Sequence, residues 1–414
     1  MVLDYRVKRK LLQELRNHLD EPEITLVIGP RQAGKTTLLK QLASEQEAVG
    51  KPSLFLNLDF DQDSSWFTSQ SLFLKRLALK TADIPHTVFI DEIQRLENAG
   101  LFLKGIYDKG LKHKLVVTGS GSLELKEKIA ESLVGRKRNF RLLTVGLKEF
   151  INYRTAYEYE ESIQEFLLIH PMLANSILEE YMNYGGYPRV VTAESERDKN
   201  QALNEIYQGY IERDIQALLQ LNKSVNFVTL LQILANRVGY SINYASLSNQ
   251  VGLSTPTLKN YLWYSEKTFI TASVTPFFRN KEKEISKAPQ HYFIDLGLRN
   301  FLLGQYENPM DQGMRFENLV YRLLEQSTRD SVARIHFWRT QNQAEVDFVI
   351  DKGYDLLPVE VKSAEMKKPK MSRSFRAFIE KYAPKEAWLI NKSLKGEEKL
   401  GNTWVKFLPW WELL

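Results

Sequence analysis

The sequence predicts an α/β multidomain protein whose N-terminal part is a doubly wound parallel sheet, and three observations carry that prediction. The apolar run Ile24-Thr25-Leu26-Val27-Ile28 leads through Gly29-Pro30-Arg31-Gln32-Ala33-Gly34-Lys35-Thr36 into the helix-forming Thr37-Leu38-Leu39, the strand, glycine loop and helix of a βαβ unit. Two more buried-strand runs follow, Thr87-Val88-Phe89-Ile90 and Lys114-Leu115-Val116-Val117-Thr118. Far downstream, Phe316, Leu319, Val320, Leu323 and Leu324 mark an amphipathic helix ahead of alternating runs in the order αβββαβ. At 414 residues the chain has room for about three domains.

The first run is G-x-x-x-x-G-K-T in its required context, the P-loop. Gly29 and Gly34 let Gly29 to Thr37 curl so that successive backbone N–H groups face one point, and the following helix adds the positive end of its dipole there. Lys35 reaches the β- and γ-phosphates of a nucleotide, and the Thr36 hydroxyl ligates Mg²⁺. The strand ending in Asp91-Glu92 has the Walker B arrangement: Asp91 holds Mg²⁺, directly or through water, and Glu92 polarises the attacking water. The strand at 114–118 runs into Gly119-Ser120-Gly121-Ser122. Hydroxyls at the carboxyl end of such a strand sit where doubly wound sheets place ligands, so Thr118 or Ser120 is a candidate γ-phosphate sensor.

These elements resemble the AAA-type P-loop ATPases of the additional-strand group, over roughly residues 1–150. The resemblance implies that the strand at 114–118 lies between the P-loop strand and the Walker B strand. It also implies a γ-phosphate-facing arginine near Gly135-Arg136-Lys137-Arg138, so Arg136 or Arg138 is the candidate arginine finger.

Composition bounds the rest. Hydrophobic residues make up 43% and charged residues 26%, enough to bury cores. No apolar run is long enough to cross a bilayer, and Met1 to Lys10 lacks the apolar stretch of a signal peptide, so a cytoplasmic protein with no membrane association is expected. The absence of cysteine excludes disulfides, thiol catalysis and cysteine-ligated metals. The six histidines show no zinc-binding spacing.

Residues 151–222 read as a helical lid or connector, interrupted by Tyr184-Gly185-Gly186-Tyr187-Pro188-Arg189, a helix stop and turn or a hinge. Residues 223–298 look like a winged helix-turn-helix. A helix around Leu230 to Leu234 precedes Tyr244 to Val251, the turn Gly252-Leu253-Ser254, a third helix from Thr255 to Ser265, and wing strands at 268–278 and 291–295. Lys223 to Gln290 carries eight Lys/Arg against three Glu, which favours a polyanion.

Residues 299–414 hold a second constellation. After the helix carrying Glu317 come strands at 333–340, 344–351 and 355–363, a helix near 374–381 and a strand at 386–390. Asp347 lies in Glu345-Val346-Asp347-Phe348-Val349, and Glu360 and Lys362 lie in Pro358-Val359-Glu360-Val361-Lys362-Ser363. Period-2 alternation puts Glu360 and Lys362 on one face. This order resembles the PD-(D/E)xK nuclease, or restriction-endonuclease-like, fold, with Val346 where the family's Pro stands. The resemblance implies that Asp347 and Glu360 bind Mg²⁺, that Lys362 orients the attacking water, and that Glu317 is a further metal ligand. Lys362 to Lys385 adds eight Lys/Arg against two Glu.

As a whole the chain resembles prokaryotic ATP-binding proteins that fuse an AAA-type ATPase to a C-terminal domain of unknown function. The expected activity is Mg²⁺-dependent ATP hydrolysis coupled to DNA binding and metal-dependent DNA cleavage. A second reading is a nucleotide-gated switch that binds DNA or a protein and cleaves nothing, and a third is a peptide-handling or chaperone-like AAA role. The sequence leaves open a homo-oligomer and an arginine finger acting in cis or in trans.

Overall fold

The computed structural model describes residues 7–82, 84–120, 133–209, 224–278, 288–306 and 308–414. Gly121, Ser122, Lys223, Arg279, Lys281, Lys283 and Lys287 lie outside the described residues, so Arg237, Lys259 and Lys267 are what remains of the helix-turn-helix basic excess. Two compact units emerge, one of Met1–Glu149, Tyr187–Ala193 and Lys267–Ile270, the other of Phe150–Gly186, Glu194–Glu266 and Thr271–Leu414.

In the first unit β1 (Ile24–Gly29), β2 (Ser53–Asn57), β3 (Thr87–Asp91), β4 (Lys114–Ser120) and β5 (Lys137–Arg141) form one parallel sheet in the order β2-β3-β4-β1-β5. The 114–120 strand thus lies between the loop-bearing strand and the Asp91 strand. Period-2 alternation sorts the strand residues onto two faces. Leu26, Ile28, Val88, Ile90, Leu115 and Val117 pack with Phe73, Leu77, Leu103 and Ile106 of helices Gln70–Thr81 and Ala99–Tyr107. Val27, Phe89 and Val116 pack on the other side with Leu11, Leu15, Leu38 and Leu42 of helices Leu11–Asn17 and Lys35–Ala48. Helices cover both faces, which is why the inner strands β1, β3 and β4 read as apolar runs, whereas edge strand β5 is polar and mostly exposed.

The second unit contains an eight-stranded sheet. β6 (Thr271–Pro276) and β7 (Gln290–Phe293) join β8 (Arg334–Arg339), β9 (Glu345–Asp351), β10 (Leu356–Val361), β11 (Glu386–Asn391), β12 (Gly396–Leu400) and β13 (Thr403–Pro409), in the order β12-β13-β11-β10-β9-β8-β6-β7. Helix Gln312–Thr328, the antiparallel β8-β9-β10 meander, helix Arg373–Tyr382 and β11, parallel to β10, reproduce the expected αβββαβ order. The sheet runs further than expected at both edges. β12 and β13 extend one side, and the strands expected as a wing extend the other, β6 pairing in parallel with β8.

The helix-turn-helix elements are present as Ser224–Asn236, Tyr244–Val251 and Thr255–Lys267. They do not stand apart. Helix Leu296–Leu303 packs on helices Pro171–Tyr184, Glu196–Gln208 and Ser224–Asn236. Buried Arg299 donates to Ala235 O at 2.9 Å and pairs with Asp311, and Asn300 Nδ2 donates to Met182 O and Asn183 O at 2.9 and 2.8 Å. The expected boundary at 298/299 therefore falls inside one packed unit, and that at 222/223 lies outside the described residues. Among the described residues no helix is long and apolar enough to cross a membrane.

The Gly185-Gly186 turn is clamped: Gly186 N donates to Asp295 Oδ2 at 2.8 Å, and a Cβ on Gly297 would lie 2.0 Å from Tyr184 O. That oxygen is backbone held by its neighbours, so Gly297→Ala should cost roughly 2 kcal/mol or more. Gly396, with open space around it, is the control. Denaturant unfolding should show a lowered midpoint for Gly297→Ala and an almost unchanged one for Gly396→Ala.

Candidate functional site

Two clusters of candidate residues form, one in each unit. In the first, β1 ends at Gly29, where a Cβ would meet Leu142 O at 1.9 Å, so the chain after β5 passes against a position only glycine fits. Pro30 to Gly34 make the turn, with Gln32 at φ 57° and Gly34 at φ 95° before helix Lys35–Ala48 begins. Pro30, Ala33 and Lys35 are buried, Arg31 is half-buried, and Gln32 and Thr37 are exposed. Lys35 Nζ donates to Gly29 O at 3.1 Å and Pro30 O at 2.8 Å, which holds the ammonium over the loop.

Asp91, fully buried at the end of β3, joins the neighbouring elements. Its Oδ2 accepts the Thr36 hydroxyl at 2.7 Å, and its Oδ1 accepts the Thr118 hydroxyl. Thr118 Oγ1 in turn accepts Glu92 N at 3.2 Å. Glu92 stands at φ 58°, a left-handed conformation that a non-glycine residue seldom adopts and that turns its carboxylate off the strand direction. Burial raises the Glu92 carboxyl above its ordinary value against the pull of Lys35.

Gln94, which the sequence reading passed over, links this carboxylate to the third strand. Its Nε2 donates to Glu92 Oε2, and its Oε1 accepts Ser120 N at 3.2 Å. The signal was local, a Gln two residues past the acidic pair. Thr36 and Asp91 present adjacent oxygens beside the loop, a donor set that suits Mg²⁺, and the loop and helix terminus suit a phosphate.

An arginine finger acting in cis requires correction. β5 runs parallel to β1 with Lys137 opposite Ile24 and Arg141 opposite Ile28. Arg136 therefore sits at the end of the sheet away from Gly29, six strand residues or about 20 Å off, and is bound to Asp108 with Nε–Oδ1 2.6 Å. Arg138 lies opposite Thr25 with its guanidinium 5.5 Å from the Phe140 ring centroid. Neither faces the phosphate loop of its own chain.

The second cluster lies where helix Gln312–Thr328 crosses the C-terminal sheet. Lys362 Nζ pairs with Glu360 Oε1 at 2.8 Å, as expected of i and i+2 on one face. Asp347 Oδ2 accepts Val361 N at 2.7 Å. Glu317 Oε1 accepts the Tyr292 hydroxyl at 2.7 Å. Gln290 Nε2 donates to Glu345 Oε1 at 2.8 Å, and its own Oε1 lies 3.2 Å from the Tyr292 hydroxyl oxygen, whose one proton can serve either Gln290 or Glu317.

Burial, then the neighbouring Asp347, holds the Glu317 carboxyl well above the usual carboxylate range. Burial also raises Asp347, with Glu360 adding to it and the Val361 N–H opposing it. Burial alone would lower the Lys362 ammonium, but Glu360 and Asp347 keep it above its ordinary value. Sequence reading missed Tyr292, Gln290 and Glu345; the i, i+2 spacing of Glu345 from Asp347 was the available signal. Among the described residues no three His, Asp or Glu side chains form a ready-made metal cage.

A carboxyl raised in the folded state makes the native protein bind more protons than the unfolded one. Its stabilisation is complete at low pH and is lost as pH rises through its folded value. In metal-free buffer the C-terminal unit should therefore lose stability as pH climbs from the ordinary carboxylate range toward about 8, the value to which Glu317 is raised. Glu317→Gln should flatten that slope; denaturant midpoints from pH 5 to 9 measure it, and an equal slope in both proteins would reject the assignment.

Residues 21–151 match the family model described as an AAA domain. Residues 175–308 match a domain of unknown function, DUF8612, and residues 312–413 match another, DUF4143. The chain is 26% identical over 433 residues to the uncharacterized protein MJ1544 of Methanocaldococcus jannaschii, covering 99% of this chain and 92% of that one. It is 24% identical over 365 residues to an uncharacterized protein of Haemophilus influenzae, covering 86% of each. It is 25% identical over 383 residues to the uncharacterized protein Rv2008c of Mycobacterium tuberculosis, covering 90% of this chain and 77% of that one. AMPPCP-bound DnaA from Aquifex aeolicus aligns at 15% identity over 62% of this chain and 86% of that chain with a TM-score of 0.28, too loose a likeness to bear on the fold. The first unit is thus similar to AAA domains over residues 21–151, and residues 175–308 and 312–413 are similar to two domains of unknown function.

Proposed function

We propose that the chain binds ATP with Mg²⁺ at the Gly29–Thr37 loop and hydrolyses it. The observation that carries this reading is the contact of Thr36 with Asp91 at 2.7 Å directly behind the Gly34-Lys35 turn. The loop amides and Lys35 bind the phosphates, and Thr36 and Asp91 hold the metal, which neutralises charge on the β- and γ-oxygens when bound. Glu92 accepts the proton of the attacking water, with Gln94 setting its orientation, and burial makes it a better base than an exposed carboxylate. Thr118 or Ser120 senses the γ-phosphate from β4.

Lys35→Ala should weaken nucleotide binding, because the cation aimed at the phosphates is gone. Glu92→Gln should leave binding intact and slow turnover by about a hundredfold or more, the scale of a lost general base. Steady-state hydrolysis alongside equilibrium binding tests both, and unchanged turnover in Glu92→Gln would remove Glu92 from the role of base.

A second reading concerns the C-terminal unit, favoured by the mutual electrostatic influence of Glu317, Asp347, Glu360 and Lys362. In it the nucleotide state governs DNA binding, and Asp347, Glu360 and Glu317 bind a divalent metal while Lys362 orients the attacking water. The basic residues from Lys362 to Lys385 and the helix-turn-helix elements supply DNA contact. Asp347, Glu360 and Lys362 would act as one unit. Metal-dependent cleavage of plasmid, single-stranded or branched DNA should disappear alike in Asp347→Ala, Glu360→Ala and Lys362→Ala while ATP hydrolysis persists. No cleavage of any substrate by the folded wild-type chain would leave the non-cleaving switch that binds DNA or a protein.

A further inference from the structure

Arg9 stands twenty residues before the loop motif in sequence, on the segment leading into helix Leu11–Asn17, yet its guanidinium touches the loop. Nη1 donates to Ala33 O at 2.9 Å, Nη2 to Leu143 O at 2.6 Å, and Nε to Glu149 Oε2 at 3.2 Å. The side chain is only 10% exposed. Glu149 is fixed in turn: its Oε1 accepts Lys10 N at 2.7 Å and its Oε2 accepts Gly146 N at 2.9 Å. One planar fork therefore ties the phosphate loop to the chain leaving β5 and to the first turn of helix Leu147–Arg154. A lysine ammonium has neither the fork geometry nor the reach to satisfy three separated acceptors.

The consequence follows from the planarity of one peptide. In a trans peptide the C=O and N–H point in opposite directions. Arg9 holds the Ala33 carbonyl on the outside of the loop, so the N–H of Gly34, in the same peptide plane, is turned to the inside, where the amides at the start of the helix converge on an anion. Gly34 at φ 95° supplies the torsion that lets the chain enter the helix with that peptide so placed.

We propose that Arg9 is a positioning residue of the phosphate loop: by pinning the Ala33–Gly34 peptide through its carbonyl, it aims the Gly34 N–H at the nucleotide phosphates. Arg9 itself touches no phosphate. The proposal rests on the ATP-binding reading above.

The test measures equilibrium binding of a fluorescent ATP analogue with Mg²⁺ to the full chain, together with the thermal midpoint, for wild type, Lys35→Ala, Arg9→Lys, Arg9→Ala and Glu149→Gln. Arg9→Lys and Arg9→Ala should bind about tenfold more weakly or worse, the scale of one lost charge-assisted hydrogen bond. Arg9→Lys should keep a midpoint close to wild type, and millimolar guanidinium should restore part of the affinity of Arg9→Ala but none of Lys35→Ala. Wild-type affinity in Arg9→Lys overturns the proposal. So does a loss that guanidinium does not relieve and that follows the thermal midpoint. Should Arg9→Ala fail to fold, Arg9→Lys and Glu149→Gln decide the matter, Glu149→Gln being expected to weaken binding less than Arg9→Lys. A wild-type chain that binds no nucleotide overturns the ATP-binding reading and this proposal with it, whereas binding lost in Lys35→Ala alone overturns only the role of Arg9.

Discussion

The buried carboxylate of Asp91 is the constraint on which the first unit's site depends. It accepts the Thr36 hydroxyl with one oxygen and the Thr118 hydroxyl with the other, so the carboxyl ends of β1, β4 and β3 are registered against each other at one point. A buried carboxylate is costly unless its lone pairs are met, and these hydroxyls meet them only if β4 lies between β1 and β3. The strand order and the site chemistry are thus one requirement. The same point fixes Glu92, whose N–H is bound by the Thr118 hydroxyl that also serves Asp91, and whose left-handed backbone is held by that bond and by Gln94.

The acidic cluster of the second unit obeys a different balance. Gathering Glu317, Asp347, Glu345 and Glu360 raises their mutual repulsion, and burial adds a desolvation cost. The structure offsets this with donors from elsewhere in the chain: the Val361 N–H on Asp347, the Lys362 ammonium on Glu360, and Tyr292 and Gln290 of β7 on Glu317 and Glu345. β7 is therefore more than a sheet edge. Gly239, at φ 76°, also presses against Glu317, where a Cβ would lie 2.3 Å from Oε1. The segment expected as a separate winged module supplies both the donors and part of the wall for carboxylates more than twenty residues downstream.

What was legible in the sequence was whatever local periodicity or spacing encodes. The strand, loop and helix around Gly29 to Thr37, the apolar strand before Asp91-Glu92, helix Tyr244–Val251 to the residue, and the αβββαβ order could all be read because each signal lies within a dozen residues. The Glu360–Lys362 pair was legible for the same reason, since a strand repeats every two residues. Partnerships across the chain were not. Nothing near Arg9 signals that it reaches Ala33 and Glu149, and nothing near Tyr292 signals Glu317. That an arginine finger would not act in cis was not legible for a related reason: position along the sequence said that Arg136 precedes a strand, but not at which end of the sheet that strand begins. Parallel pairing of β5 with β1 decided it, and the Asp108 carboxylate took the guanidinium.

Domain boundaries were the least legible feature because the units are continuous in space and not in sequence. The first unit ends at Glu149 and then recruits Tyr187–Ala193 and Lys267–Ile270. Phe269, in the second of these strips, is 8% exposed in the core formed by Leu26, Val88 and Leu103. Pro188, in the first, would meet a Cβ on Gly34 at 3.7 Å. A cut after residue 150 would open the slot of a buried phenylalanine, a loss of about 3–5 kcal/mol by comparison with large-to-small core substitutions, and would strip the wall beside the phosphate loop. The chain crosses from one unit to the other at 149/150, 186/187, 193/194, 266/267 and 270/271. On the 186 side of the second crossing, Gly186 is hydrogen-bonded to Asp295, and on the 187 side Tyr187 is buried and followed by Pro188 at the loop. A double glycine read locally as a helix stop is therefore also where the chain passes from the second unit into the first.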